Sequence, residues 1–261
     1  MKTPTHFYTQ SALKSARALA LALPLALIAV GTAQAQTAAA PAAAEATKFE
    51  ATYNLGLVTD YRYRGISQTR LKPAVQGGFD GTYGDFYVGA WASNINWLKD
   101  AGLKGRMELD LYGGYKYAVT KDVTIDVGLL SYIYPSNNSM PNANTTEVYL
   151  GAASGPFSAK YSHAITNAFG FTDSKGSNYL EANVDYELRK GLNLVAHIGY
   201  QKIKNTSAAS YTDYKLGATY EALGGKFAAS LVGTDSKNFY LTPAGKNNGK
   251  TGLVLGYTRT F

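Results

Sequence analysis

From Phe49 to the C-terminus, apolar and polar residues alternate with a period of two through one run after another. Successive side chains of a β-strand point to opposite faces, so each run sorts its residues onto two faces of different chemistry. Over 49–64, Ala51, Tyr53, Leu55, Leu57, Tyr61 and Tyr63 share one face, and Glu50, Thr52, Asn54, Asp60, Arg62 and Arg64 share the other. Met107, Leu109, Leu111, Tyr115 and Tyr117 alternate with Glu108, Asp110, Tyr112 and Lys116. Leu180, Ala182, Val184 and Tyr186 alternate with Glu181, Asn183, Asp185 and Glu187, and Tyr214, Leu216 and Ala218 with Asp213, Lys215 and Thr219. A helical period does not survive over so many segments. The runs predict about twelve strands, centred near Leu55, Phe79, Ala90, Leu111, Val127, Leu150, Lys160, Val184, Ala196, Leu216, Ala229 and Leu255.

The connections sort themselves by length. Short polar turns fall at 83–85, 120–122, 154–156, 189–191 and 222–225; longer stretches fall between them at 65–73, 98–105, 135–145, 166–177, 202–210 and 235–250. A transmembrane barrel has short turns on the periplasmic side and longer loops outside, whereas a secreted sandwich has no reason to alternate them. Backbone groups facing hydrocarbon must find partners within the protein, so β-structure crosses a bilayer only as a closed barrel. The expectation is an all-β, transmembrane, antiparallel up-and-down β-barrel of about twelve strands.

The ends agree with export. Lys2, Lys14 and Arg17 flank an apolar stretch at 18–30, and Ala33-Gln34-Ala35 has the form of a cleavage site. Residues 1–35 therefore read as a cleaved signal peptide, 36–48 as a flexible periplasmic leader and 49–261 as the barrel, destined for a bacterial outer membrane. The 21 tyrosines and 27 glycines suit a barrel with aromatic girdles, and Tyr61, Tyr63, Trp97, Tyr117 and Tyr200 are expected at the two lipid–water boundaries. The absence of cysteine removes disulfides and thiol catalysis. With 25 Lys+Arg against 18 Asp+Glu, and Lys2, Lys14 and Arg17 lost with the signal peptide, the charge is too small for nucleic-acid binding. Leu253, Leu255, Tyr257 and Phe261 share a face, and Tyr257 with the terminal Phe261 looks like the signal read by the barrel-assembly machinery.

The stretch GLVTDYRYRGISQTRLKPAVQGG at 56–78 resembles the first motif of the TorF-type porin family of Gram-negative outer-membrane proteins. YVGAWASN at 87–94, ELDLYGGY at 108–115, YIYP at 132–135 and YTDYK at 211–215 are similar to its later motifs, in the same order. Thr59 stands where that family usually has serine. The resemblance implies a porin, and carries over neither a substrate nor catalytic residues.

On the polar face, Asp60, Arg62 and Arg64, with Gln68 beyond them, are expected at the outer mouth. Asp80, Glu108, Asp110, Lys116, Asp126, Asp185, Asp213 and Lys215 are expected to line the pore. Rings of charge set selectivity in pores, and arginine fits carboxylate or phosphate bidentately, so the two arginines suit a filter for anionic solutes. The competing reading is that they brace the barrel by pairing with Asp80, Glu108 and Asp110. The long loops are basic (Arg70, Lys72, Lys99, Lys104, Lys175, Lys202, Lys204, Lys237, Lys246 and Lys250), either contacting lipopolysaccharide or simply solvated. His163 and His197 remain after export, and their same-face neighbours at spacing two offer no hydroxyl except that of Tyr161. Metal and nucleotide motifs are lacking, and no cofactor is expected. The function expected is a porin-like channel for passive passage of small polar solutes or ions, not an enzyme. A structural or adhesive barrel without conductance and an outer-membrane lipid hydrolase are the alternatives.

Overall fold

The computed structural model describes residues 48–135, 137 and 142–261. The proposed signal peptide and nearly all of the leader lie outside the described residues. In chain order the strands are β1 (Phe49–Val58), β2 (Arg62–Tyr63), β3 (Ile66–Ser67), β4 (Ala74–Tyr83), β5 (Phe86–Asn94), β6 (Met107–Ala118), β7 (Val123–Ile133), β8 (Thr145–Ser154), β9 (Phe157–Ala164), β10 (Asn178–Arg189), β11 (Leu192–Lys202), β12 (Tyr211–Ala222), β13 (Gly225–Thr234) and β14 (Gly252–Thr260). All except β2 and β3 form one closed antiparallel barrel of twelve strands. Each strand pairs with the next along the barrel, and β1 closes against β14 with Asn54 opposite Thr260 and Val58 opposite Gly256. Phe261 and Tyr53 exchange backbone hydrogen bonds at 2.8 and 3.2 Å and seal the seam. All of the strand centres read from the alternation fall within barrel strands.

The two faces carry the chemistry that the alternation assigned. Leu55, Leu57, Val75, Val88, Leu111, Val127, Leu150, Leu180, Ile198, Leu216, Leu231, Leu253 and Leu255 point outward and are exposed. An exterior of this kind suits contact with hydrocarbon. Phe49, Tyr83, Phe86, Tyr117, Phe157, Tyr186, Tyr220 and Phe261 ring the short-turn end, while Tyr161, Tyr200 and Tyr214 stand toward the other. No helix of the described residues is long and apolar enough to cross a membrane.

Inside, tyrosines lie flat across glycines of the neighbouring strand. Tyr112 sits opposite Gly89 and Tyr149 opposite Gly128. A Cβ on either glycine would stand 2.3 or 2.4 Å from the partner ring or its hydroxyl. These glycines are the space into which the rings fold.

The first long connection departs from expectation. The alternation carries β1 through to Tyr63, yet β1 ends at Val58, and residues 59–73 turn into the barrel with β2 and β3 as a small hairpin. Tyr61 and Tyr63 are therefore not girdle residues; Tyr61 is 1% exposed and packs inside. Trp97 also faces inward company, its ring edge-on to Tyr134 at 5.2 Å in the loop that follows β5.

Candidate functional site

The hairpin is built by its own sequence. Arg62 pairs with Ser67 and Tyr63 with Ile66, leaving Arg64-Gly65 as a two-residue turn with φ of 44° and 78°. Left-handed values at both central positions are what a tight hairpin turn of this type requires, and glycine supplies the second without strain. At its base the Asp60 carboxylate accepts from Ser67 Oγ at 2.5 Å and Thr69 Oγ1 at 3.2 Å, and pairs with the Arg62 guanidinium. The Tyr61 amide donates to Thr69 Oγ1 at 3.2 Å and the Gln68 amide to the Tyr61 carbonyl at 2.7 Å.

From that base the hairpin reaches across the lumen. Tyr61 donates to Glu108 of β6 at 2.5 Å and sets its ring 5.3 Å from Trp91 of β5. Tyr63 donates to the Tyr132 hydroxyl of β7 at 2.8 Å, and both rings pack on Phe169. Arg64 forks onto both oxygens of Glu147 on β8, at 2.7 and 3.0 Å, and donates to Gln201 of β11 at 2.6 Å. Its guanidinium lies 4.1 Å over the Tyr179 ring of β10. Gly65 touches the far wall: a Cβ there would be 2.5 Å from Thr234 and 2.7 Å from Asp213. Arg62 donates to the carbonyls of Asn248 and Lys250 in the last long loop, at 2.9 and 3.1 Å. The hairpin thus bridges the barrel near its long-loop mouth. Burial opposes the Arg64 charge, but Glu147 beside it prevails and holds the guanidinium well above its usual value. Burial first, then Glu108, push the Tyr61 phenol well up, so it remains a donor.

Toward the short turns the lumen is polar. One cross-strand row reads Lys116, Asp126, Gly151, Lys160, Glu181, Gly199 and Asp213, setting Lys116 beside Asp126 and Lys160 beside Glu181 and ending on a further acid. Lys160 pairs with Glu181 at 3.0 Å. Tyr87 donates to Asp126 at 2.7 Å, Tyr112 to Asp80 at 2.5 Å, and Asn193 to Asp185 at 2.5 Å. Lys116 lies 5.1 Å over the Tyr87 ring. His197 is held between Asp213 at 2.8 Å, Tyr179 at 2.9 Å and Asn183 at 2.6 Å. Lys215, opposite His197, makes no ion pair or hydrogen bond among the described residues. No group of residues with metal-ligand geometry is found among those described.

A family model described as "Bacterial protein of unknown function (Gcw_chp)" matches residues 42–261. The chain belongs to the Gcw_chp family. No curated protein matches it. Among solved structures, this Gcw_chp protein is similar to the KdgM porin, at 12% identity over 81% of this chain and 98% of that one, with a TM-score of 0.52. It is similar to the NanC porin at 9% identity over the same shares, again with a TM-score of 0.52. At such identities the likeness is one of fold: a porin-like barrel.

Set against the expectations, the structure divides the site residues into two groups. Asp80, Lys116, Asp126, Asp185, Asp213 and Lys215 face the lumen from the Gcw_chp barrel wall. Glu108 and Asp110 also lie on the inner face of β6, but Glu108 is taken up by the hairpin. Asp60, Arg62, Arg64 and Gln68 are buried in the hairpin itself rather than standing on an extended strand. The bracing partners differ from those expected: Arg62 pairs with Asp60 and Arg64 with Glu147, and neither pairs with Asp80, Glu108 or Asp110. Tyr257 and Phe261 point outward at the short-turn end, and Tyr257 donates to the Leu223 carbonyl at 3.0 Å. Tyr63 and Tyr179 were missed as members of the site. The clue for the hairpin was Arg64-Gly65 between residues able to pair; nothing local in the sequence aims it inward.

Proposed function

We propose that the chain is a passive channel of the bacterial outer membrane for small polar solutes or ions, narrowed at its outer mouth by the 59–73 hairpin. The observation that carries this is the lumen: a ladder of charged and hydroxyl side chains running along the inside of a wall whose outside is apolar. A wet interior of this kind, with long loops at one end, is the arrangement by which porin barrels conduct. The porin-like fold and the TorF-type motifs support the same reading. The KdgM porin has been solved "in complex with disordered oligogalacturonate". Here the carboxylates of the inner face (Asp80, Asp126, Glu181, Asp185, Asp213) outnumber its amines (Lys116, Lys160, Lys215), so the solutes we assign are neutral or cationic rather than polyanionic.

The experiment is swelling of liposomes that contain the refolded protein, in graded neutral sugars. Influx that falls steeply with sugar size is the expected result. One observation favours a second reading, a structural barrel without conductance: the hairpin spans the lumen on buried ion pairs and aromatic contacts. Liposomes that admit no sugar and carry no ionic current would select it. The His197 cluster gives a lipid hydrolase no support. Its partners offer no serine or threonine hydroxyl, and it faces the lumen rather than the lipid.

A further inference from the structure

The outer wall of β9, β10 and β11 is not uniform. Tyr161 and Tyr200 both pair with Leu180, and one step nearer the long loops His163 and Lys202 both pair with Asn178. All six point outward, because their alternate neighbours Ser162, Tyr179 and Gln201 are the buried, inward set. A girdle row, Tyr161–Leu180–Tyr200, is therefore topped by a basic and polar row, His163–Asn178–Lys202. Above it, the Lys204 side chain and the His163 ring flank Gly176, each within 3.9 Å of the place a Cβ would occupy there. Lys175 precedes that glycine and is exposed. Lys175, Lys202 and Lys204 form no ion pair among the described residues, and Asp173, the acid of this loop, forms none either.

Below the girdle row the wall is hollowed. Ala152, Ala159, Ala182 and Ala196, with Phe157, Val184 and Ile198 around them, line an open, mostly apolar depression of about 580 Å³ that continues to Val123 and Ser154 beside the short turns. Ala182 is opposite both Ala159 and Ile198, and lies four residues down β10 from Asn178. At roughly 3.3 Å per residue that near edge is about 13 Å along the strand, within reach of an acyl chain in the outer leaflet of a hydrocarbon core about 30 Å thick. An acyl groove thus lies beneath a cluster of uncompensated amines at headgroup height.

We propose that this wall binds one molecule of a phosphorylated glycolipid of the outer leaflet, its phosphate held by Lys202, Lys204 and His163 and an acyl chain lying in the alanine depression. Ammonium–phosphate hydrogen bonds are charge-assisted, and tyrosines suit the sugar–acyl boundary. The inference rests on the membrane-barrel reading, with the long loops outside, and not on conduction.

The test is native mass spectrometry and equilibrium titration of the folded barrel in a zwitterionic detergent, with bisphosphorylated lipid A as the probe. Saturable binding of one lipid is expected. The double variant Lys202→Ala/Lys204→Ala should weaken it by at least about ten-fold, corresponding to the loss of one or two charged contacts. Lys202→Arg/Lys204→Arg should retain it, and Lys190→Ala in a short turn should leave it unchanged. The heat-induced mobility shift of folded barrels checks that each variant is folded. Absence of binding, equal binding by wild type and the alanine variant, or displacement by millimolar inorganic phosphate would each overturn the glycolipid site. A folded barrel that conducts but binds no lipid A would leave the channel reading standing.

Discussion

Arg64 takes a full charge into the middle of a barrel, and the surroundings are shaped to keep it there. Glu147 meets it with two parallel hydrogen bonds, Gln201 with a third, and Tyr179 lies under its plane. Removing one partner of such a pair leaves the other charge buried and uncompensated, which costs about 3–5 kcal/mol, while replacing both with apolar groups is often near neutral. Arg64→Leu is therefore expected to lower unfolding stability in detergent by about that amount. Arg64→Leu/Glu147→Leu should recover most of it; a double variant no more stable than the single would contradict the pairing. The chain order showed that Arg62 and Arg64 were special but assigned them the wrong partners. Their contacts are set by a turn that swings them across the lumen to residues more than 80 positions away (Glu147) and to the last long loop. Local alternation carries no information at that range.

At the scale of elements, barrel strands and the hairpin differ in how much of them could be read. A barrel strand is constrained on both faces, by lipid and by lumen, so its residues must alternate and its length must match the membrane. That is why the strand centres and the long–short order of connections were legible. The hairpin obeys a different rule. Tyr61 and Tyr63 continue the apolar phase of β1, but they meet Glu108, Trp91, Tyr132 and Phe169 inside the barrel instead of lipid. An aromatic with a hydroxyl satisfies either environment, so the pattern alone could not choose. Gly65 is the element's weak point. Valine there would combine a left-handed φ with a Cβ 2.5 Å from Thr234 and 2.9 Å from the Gly233 carbonyl, a strain of about 1–3 kcal/mol or more. Gly65→Val is expected to free the hairpin from the far wall. Trypsin should then cut after Arg62 or Arg64, which the wild-type fold buries; an equally resistant variant would show that the tip contact does not hold the loop.

The whole molecule separates its charge by place. Amines are prominent on the long loops and carboxylates on the inner face, so the interior field and the rim field differ in sign. Charge lining a low-dielectric passage governs which ions enter. Under a potassium chloride gradient, the reversal potential is expected to show a preference for cations, diminished by Asp80→Asn. A marked anion preference would mean that the rim, rather than the wall, governs entry.

In the channel proposed above, one inward hairpin sets the width of the passage. The most direct measurement is the single-channel conductance of the wild type beside a variant in which residues 60–68 are replaced by a short glycine–serine linker. Small unitary steps for the wild type, and clearly larger steps that tolerate larger neutral polymers for the variant, are the expected pair of results. Identical steps would show that the hairpin does not set the width, and silence from both proteins would contradict the passage itself.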